Sequence, residues 1–156
     1  MKKAELILAN FDARIPNISI KPKNIDSRVV IFSKMYDEAI DEKFSVKIHF
    51  SNVAAIDFRI NFFDGMIGAE AFGLYCVDDK DFIRSIVKSI FDRRKEIYLI
   101  EGGYDYDESD EHDMLNCTDI CGEFEKSFDE YKAYIQNVDA GVYIIVAKDI
   151  QIMRSL

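Results

Sequence analysis

The chain has 156 residues, of which 49% are hydrophobic and 31% are charged, and its formal net charge is −9. A chain of this length fits one domain with a buried core, and the hydrophobic fraction excludes disorder throughout. No apolar run approaches the roughly 18 residues of a membrane-spanning helix, so we expect no membrane segment.

The N-terminal part predicts two strands separated by an irregular segment. The start, MKKAELILANFDA, has the lysines of a signal peptide, but its apolar stretch is too short and Glu5 interrupts it. We therefore predict a first strand near Glu5–Ala9 in a cytoplasmic protein. Both prolines fall in IPNISIKPKN, which predicts a loop or an irregular edge segment, and a strand follows near Arg28–Ser33.

The clearest local pattern is KFSVKIHFSNVAAIDFRINFF, in which apolar and polar side chains alternate in both halves. Such alternation is typical of half-buried strands, and Ser51–Ala55 between the halves is short enough for the loop of an antiparallel hairpin. His49 would then pair with Asp57 on the polar face. Lys47 would pair with Arg59, which joins like charges, so a register shifted by two residues stays open.

A strand, a helix and a further strand are predicted next. GAEAFGLYCV favours a strand, because its two glycines weaken it as a helix. Apolar residues recur at helical spacing through Asp81–Lys95, which predicts an amphipathic helix with Asp78 as its N-cap. The segment from Glu96 to Ile100 indicates another strand.

The last third predicts a second helix and a buried strand. A stripe of apolar residues indicates a helix at about Asp119–Gln136. The nearly all-apolar segment Gly141–Ala147 predicts a central strand buried on both faces, and Ile150–Leu156 predicts a short edge strand. Together the elements predict a single α+β domain, residues 1–156, with two amphipathic helices packed on a mainly antiparallel β-sheet.

The three cysteines, Cys76, Cys117 and Cys121, favour reduced thiols, because their number is odd and we predict no secretory signal. Cys117 and Cys121 are spaced like one face of a helix. A zinc site there would need two more ligands, and His112 is the only candidate nearby. We therefore expect a structural pair of cysteines, no metal and no cofactor.

The sequence contains no GxSxG, P-loop, GxGxxG, HExxH or paired CxxC motif, so we predict that the protein is not an enzyme. A histidine held by a carboxylate can act as a general base, but solvent-facing histidines in cross-strand pairs are ordinary. The alternative ligand-binding or catalytic site is the polar hairpin face that holds His49, Asp57, Arg59 and Asn61.

The negative charge is concentrated in one part of the chain. Residues 1–50 carry a net charge of +2, residues 51–100 carry −1 and residues 101–156 carry −10. This asymmetry argues against a nucleic acid or an anionic membrane as a ligand on the acidic side, and it permits steering toward a basic partner. We therefore expect no nucleic acid and no membrane among the partners.

The stretch GGYDYDESDEHDMLN holds the densest block of acidic residues. It does not form an EF-hand loop, because the glycine and the closing glutamate of that loop are missing, but weak, non-selective attraction of calcium by so many carboxylates stays open. A solvated loop that keeps the protein soluble is one interpretation. Tyrosines beside carboxylates favour a protein-binding surface. The predicted partner-binding residues are Tyr104, Asp105, Tyr106, Asp107, Glu108, Asp110, Glu111 and Asp113.

A compact, acidic, cytoplasmic α+β domain of this size without catalytic motifs resembles the immunity proteins of bacterial polymorphic-toxin and contact-dependent growth-inhibition systems. IDFRINFFDGMIGAEAFGLY and GGYDYDESDEHDMLN look like signature segments of such a family. The resemblance implies an inhibitor that binds the toxin domain of a cognate effector and blocks its active site or substrate access. Many such toxins are nucleases with basic surfaces. A non-catalytic adaptor is the remaining alternative, and both a monomer and a homodimer stay open.

Overall fold

The computed structural model describes residues 4–9, 11, 13–21, 27–60, 70–100, 126–138 and 141–155. Within these ranges it has seven strands, one α-helix and a 3-10 turn at Phe128–Glu130. The main elements are β1 (Glu5–Leu8), β2 (Ala13–Lys21), β3 (Arg28–Asp37), β4 (Glu42–Ile60), β5 (Glu70–Val77), α1 (Lys80–Ile100), β6 (Lys132–Val138) and β7 (Gly141–Ser155).

The strands form a closed antiparallel barrel. Their order is β1-β5-β2-β3-β4-β7-β6, and β5 also pairs with β6, so that the six strands from β2 to β7 close on themselves. β1 is a seventh strand that pairs with β5 beside β2. The predicted α+β sheet with two helices is therefore wrong. Closure pairs both edges of the sheet, whereas an open sheet would have to protect its edges by other means.

Two apolar clusters hold this fold together. The first fills the inside of the barrel with side chains such as Ile31, Ile48 and Ile145, none of which is exposed. The second lies between the outside of the barrel and α1, where Ile83 packs with Val146. The segment Gly141–Ala147 contributes to both clusters, which confirms the prediction of a strand buried on both faces.

β4 is one long strand, and the predicted hairpin at Ser51–Ala55 is wrong. The chain does not reverse there: Asn52 adopts a left-handed conformation with φ of 52°, and the register with β7 shifts between Val53 and Ala55. Such an irregularity bends a strand without ending it. Both halves of β4 pair with β7, so the alternation seen in the sequence is real, but its two halves belong to one continuous strand.

The proline segment is also a strand. β2 runs through Pro16, and its register with β3 shifts between Arg14 and Asn17. Proline is tolerated at such a bulge, because the ladder hydrogen bond that its nitrogen cannot donate is already interrupted there. The prediction of a loop over IPNISIKPKN is wrong for the part up to Lys21, and residues 22–26 lie outside the described ranges. The strands near Glu5, Arg28 and Glu70 are confirmed.

The first helix is confirmed, but the elements predicted after it are not. α1 continues to Ile100, so the strand predicted from Glu96 is wrong. The N-cap is Asp79 rather than Asp78, because the Phe82 N–H donates to its carboxylate at 3.1 Å. Among the described residues, no helix is both long and apolar enough to cross a membrane.

The second predicted helix is wrong over its described part, where residues 132–138 form β6. Tyr131 and Ile135 have helical spacing, yet Tyr134 and Gln136 are also buried, which fits two-sided burial of a strand between the barrel interior and α1. The rest of that prediction, up to residue 125, lies outside the described ranges.

A chain of polar contacts crosses the apolar interior. The Tyr143 hydroxyl donates to the Gln136 side-chain oxygen, and the Gln136 amide nitrogen donates to the Phe72 carbonyl at 2.6 Å. Tyr143 is 1% exposed and Gln136 is 2% exposed. Burial raises the pKa of Tyr143, which keeps its hydroxyl protonated as a donor. These bonds tie β5, β6 and β7 together where the barrel closes.

We expect Tyr143→Phe to lower the free energy of unfolding by about 1–3 kcal/mol, because it leaves the buried Gln136 oxygen without a donor. Urea denaturation followed by circular dichroism measures this loss. Tyr75→Phe is the matched control, since Tyr75 is 39% exposed on β5. Equal stability of the two variants would show that the interior hydrogen bond does not contribute.

Candidate functional site

The predicted acidic surface belongs to the connection between α1 and β6. Residues 101–125 hold ten Asp or Glu and no Lys or Arg. The described residues after them, 126–138 and 141–155, hold four Lys or Arg and three Asp or Glu, so this connection carries the acidic excess of the last third. All eight predicted partner-binding residues, from Tyr104 to Asp113, lie outside the described residues.

The alternative site on the polar hairpin face is not assembled. Because β4 is continuous, His49 and Asp57 are eight residues apart on one strand, on the order of 25 Å in extended chain. His49 lies opposite Val30 and Gln151, and Asp57 lies opposite Ile144. Asn61 is outside the described residues. The pairing of His49 with Asp57 that motivated the site is therefore wrong.

Asp57 and Arg59 do meet, as neighbours on the outside of β4. The Arg59 guanidinium donates to the Asp57 carboxylate at 3.1 and 3.2 Å, and these hydrogen bonds raise the pKa of Arg59. The side chain of Arg59 is 69% exposed, whereas that of Asp57 is 15% exposed. This contact is a same-strand ion pair on the surface, which needs no catalytic role.

His49 retains one unusual feature. Its Nε2 atom is buried and has no hydrogen-bond partner among the described residues. Neither Val30 nor Gln151, its two cross-strand neighbours, offers a carboxylate that would hold it as a general base. His49 therefore lacks the orienting partner that the sequence interpretation required.

A site that the sequence did not predict lies on the outer side of β2, β3 and β4. Four exposed cations, Arg14, Lys34, Lys43 and Lys47, point outward from neighbouring positions; we call this surface the basic face. Arg14 lies directly opposite Lys34. No side-chain ion pair involves any of the four within the part of the chain that the structure describes.

The side chains between these cations are uncharged. The strand register places Tyr36 opposite Lys43 and Phe32 opposite Lys47. Ser45 is opposite Lys34. Met153, the other cross-strand neighbour of Lys47, is uncharged as well, so four positive charges share this region. Glu70 on β5 lies directly opposite Arg14, but the two side chains do not form an ion pair.

A groove of about 480 Å³ opens on this surface. Its lining combines apolar groups with cations, a phenol and a hydroxyl, and ligand pockets commonly join an apolar lining to a few polar groups that orient the ligand. The groove is lined by Arg14, Lys34, Met35, Tyr36, Lys43, Phe44 and Ser45.

Metal and thiol chemistry have little support in the described residues. No group of three or more His, Cys, Asp or Glu within them is arranged to hold a metal ion. Cys76 is partly buried, and this burial raises the pKa of its thiol, which disfavours the nucleophilic thiolate. Cys117, Cys121 and His112 lie outside the described ranges.

We expect Lys34→Glu to raise the free energy of unfolding by up to about 1 kcal/mol, because it replaces a like-charge cross-strand pair with an opposite-charge pair facing Arg14. Thermal denaturation at low salt measures the gain, which should shrink at high salt. Lys132→Glu on β6 is the control with the same change in net charge. A loss of stability in Lys34→Glu alone would contradict repulsion between the cations of the basic face.

Comparison of the chain with protein-family models, with curated proteins and with solved structures gives no match. Its function is therefore inferred from its own charges and geometry.

Proposed function

We propose that this chain is a cytoplasmic, non-catalytic binding protein that neutralises a cognate toxin domain with a basic surface. It would do so by covering the toxin's active site or the path of its substrate. The observation that carries this proposal is the segregation of negative charge. The described residues hold seventeen Lys or Arg and fifteen Asp or Glu, whereas residues 101–125 hold ten acidic and no basic residues.

The physical basis is long-range attraction. Carboxylates gathered in one connection create a negative potential that accelerates encounter with a cationic protein surface, and aromatic rings beside them supply contact area. Tyr104 and Tyr106 stand among these acids in the sequence. A nuclease that binds the nucleic-acid backbone needs a basic surface, so an acidic inhibitor matches the surface that it has to cover.

The barrel supports the proposal as a scaffold. The acidic connection runs between α1 and β6, and both elements are anchored in the apolar clusters through residues such as Ile83, Val87 and Ala133. Binding residues are commonly presented by a rigid scaffold. The register separates His49 from Asp57 and so gives no support to an enzyme or ligand site at His49.

The test is neutralisation of the acidic connection. Six substitutions, Asp→Asn or Glu→Gln at 105, 107, 108, 110, 111 and 113, should slow association with the toxin domain encoded beside this chain by about tenfold or more at low salt. They should also flatten the salt dependence of the association rate, because fewer screened charges steer the encounter. Surface plasmon resonance over a range of salt concentrations measures both effects.

A matched control neutralises six acids of the described surface and so makes the same change in net charge. These control positions are Glu38, Asp81, Asp92, Glu96, Asp129 and Glu130. Growth rescue of a host that expresses the toxin reports neutralisation directly. Equal association rates for the two sixfold variants would show that net charge rather than the acidic connection drives binding. A toxin that remains active beside the wild-type chain would overturn the proposed function.

A further inference from the structure

The basic face keeps like charges together at a cost in stability. Arg14 and Lys34 lie directly opposite each other, an arrangement that destabilises antiparallel pairs. Lys43 and Lys47 extend the cluster on β4. Neighbouring strands lie about 5 Å apart and alternate residues of a strand about 7 Å apart, so one extended anionic ligand can contact all four cations.

Aromatic side chains lie between the cations on the same face. Phe32 is partly exposed, and it has Lys47 opposite and Lys34 two positions along β3. Tyr36 lies opposite Lys43, and its hydroxyl donates to the Asp41 carboxylate at 2.7 Å, which fixes the ring. Cations that follow a ligand backbone, combined with rings that stack on its bases, are how proteins bind single-stranded nucleic acids.

We propose that the basic face binds single-stranded nucleic acid, with Arg14, Lys34, Lys43 and Lys47 contacting phosphates and Phe32 stacking on a base. An acidic peptide would also use the cations, but it offers no base to the aromatic rings. The expectation of no nucleic-acid partner rested on the acidic last third of the chain, whereas this face is built from residues 14–47. The proposal goes beyond the toxin-neutralising function and does not depend on it.

The charge arm of the test uses the full chain and a fluorescein-labelled oligothymidylate, with binding measured by fluorescence anisotropy over a range of salt concentrations. Four phosphate contacts predict that the logarithm of the association constant falls with the logarithm of salt at a slope of about −3. The triple variant Lys34→Gln, Lys43→Gln and Lys47→Gln should bind at least tenfold more weakly at low salt, and the slope should flatten to about −1.

The control triple variant is Lys88→Gln, Arg93→Gln and Lys132→Gln, which removes the same charge from exposed positions on α1 and β6. It should bind within about twofold of the wild type, because these positions lie outside the face. Equal losses in the two triple variants would overturn the proposal, and so would a wild-type chain that does not bind the oligonucleotide at low salt.

The aromatic arm separates nucleic acid from other polyanions. Phe32→Leu keeps an apolar side chain but removes the ring, and it should weaken binding about five- to hundredfold, the loss expected for one unstacked base. Phe32→Tyr should retain most of the affinity, and thermal denaturation checks that each variant folds. The assignment to nucleic acid would be overturned if poly-glutamate or inorganic polyphosphate competed as effectively as unlabelled oligonucleotide and Phe32→Leu bound as tightly as the wild type. The basic face would then be a general anion-binding surface.

Discussion

The pairing of β4 with β7 is the constraint on which the rest of the structure depends. The two strands run antiparallel through most of their lengths and bend together where the register shifts between Val53 and Ala55. Before the bend, β4 pairs with β3 and carries the outward lysines; after it, Ala55 joins the apolar cluster beneath α1. One strand pair thus carries outward lysines in its first part, and in its second part it packs Ala55 under α1 before the surface pair of Asp57 and Arg59.

Local patterns in the sequence predict single helices and strands well, but they predict poorly which strands pair with each other. The two glycines of GAEAFGLYCV correctly disfavour a helix where β5 forms. The helical stripe after Asp81 correctly identifies a helix, because it reflects burial on one side of that element. The prediction of a hairpin at Ser51–Ala55 was wrong because a break in the alternation between two alternating runs looks the same in a hairpin loop and in a bent strand. The prediction of a helix over Lys132–Val138 was wrong because a strand buried on both sides loses its alternation of apolar and polar residues.

The candidate sites differ in how far sequence could predict them. The acidic block is contiguous, so counting charges is enough to find it. The basic face is not contiguous: Arg14, Lys34, Lys43 and Lys47 come from three strands, and the net charge of residues 1–50 is only +2 because acids such as Asp37 and Asp41 lie in the same range. The register places those acids at the β3–β4 turn, at the border of the face, where the Asp41 carboxylate accepts the hydrogen bond from Tyr36.

Asn52 also bears on how this fold could be recognised in distantly related sequences. Its left-handed backbone suits asparagine, aspartate or glycine, and its side-chain amide donates to the Asp149 carboxylate at 3.2 Å. Apolar positions on either side can exchange freely as long as volume is kept. A distant homologue would therefore be recognised less by its core residues than by one such permissive residue near the middle of a 19-residue strand.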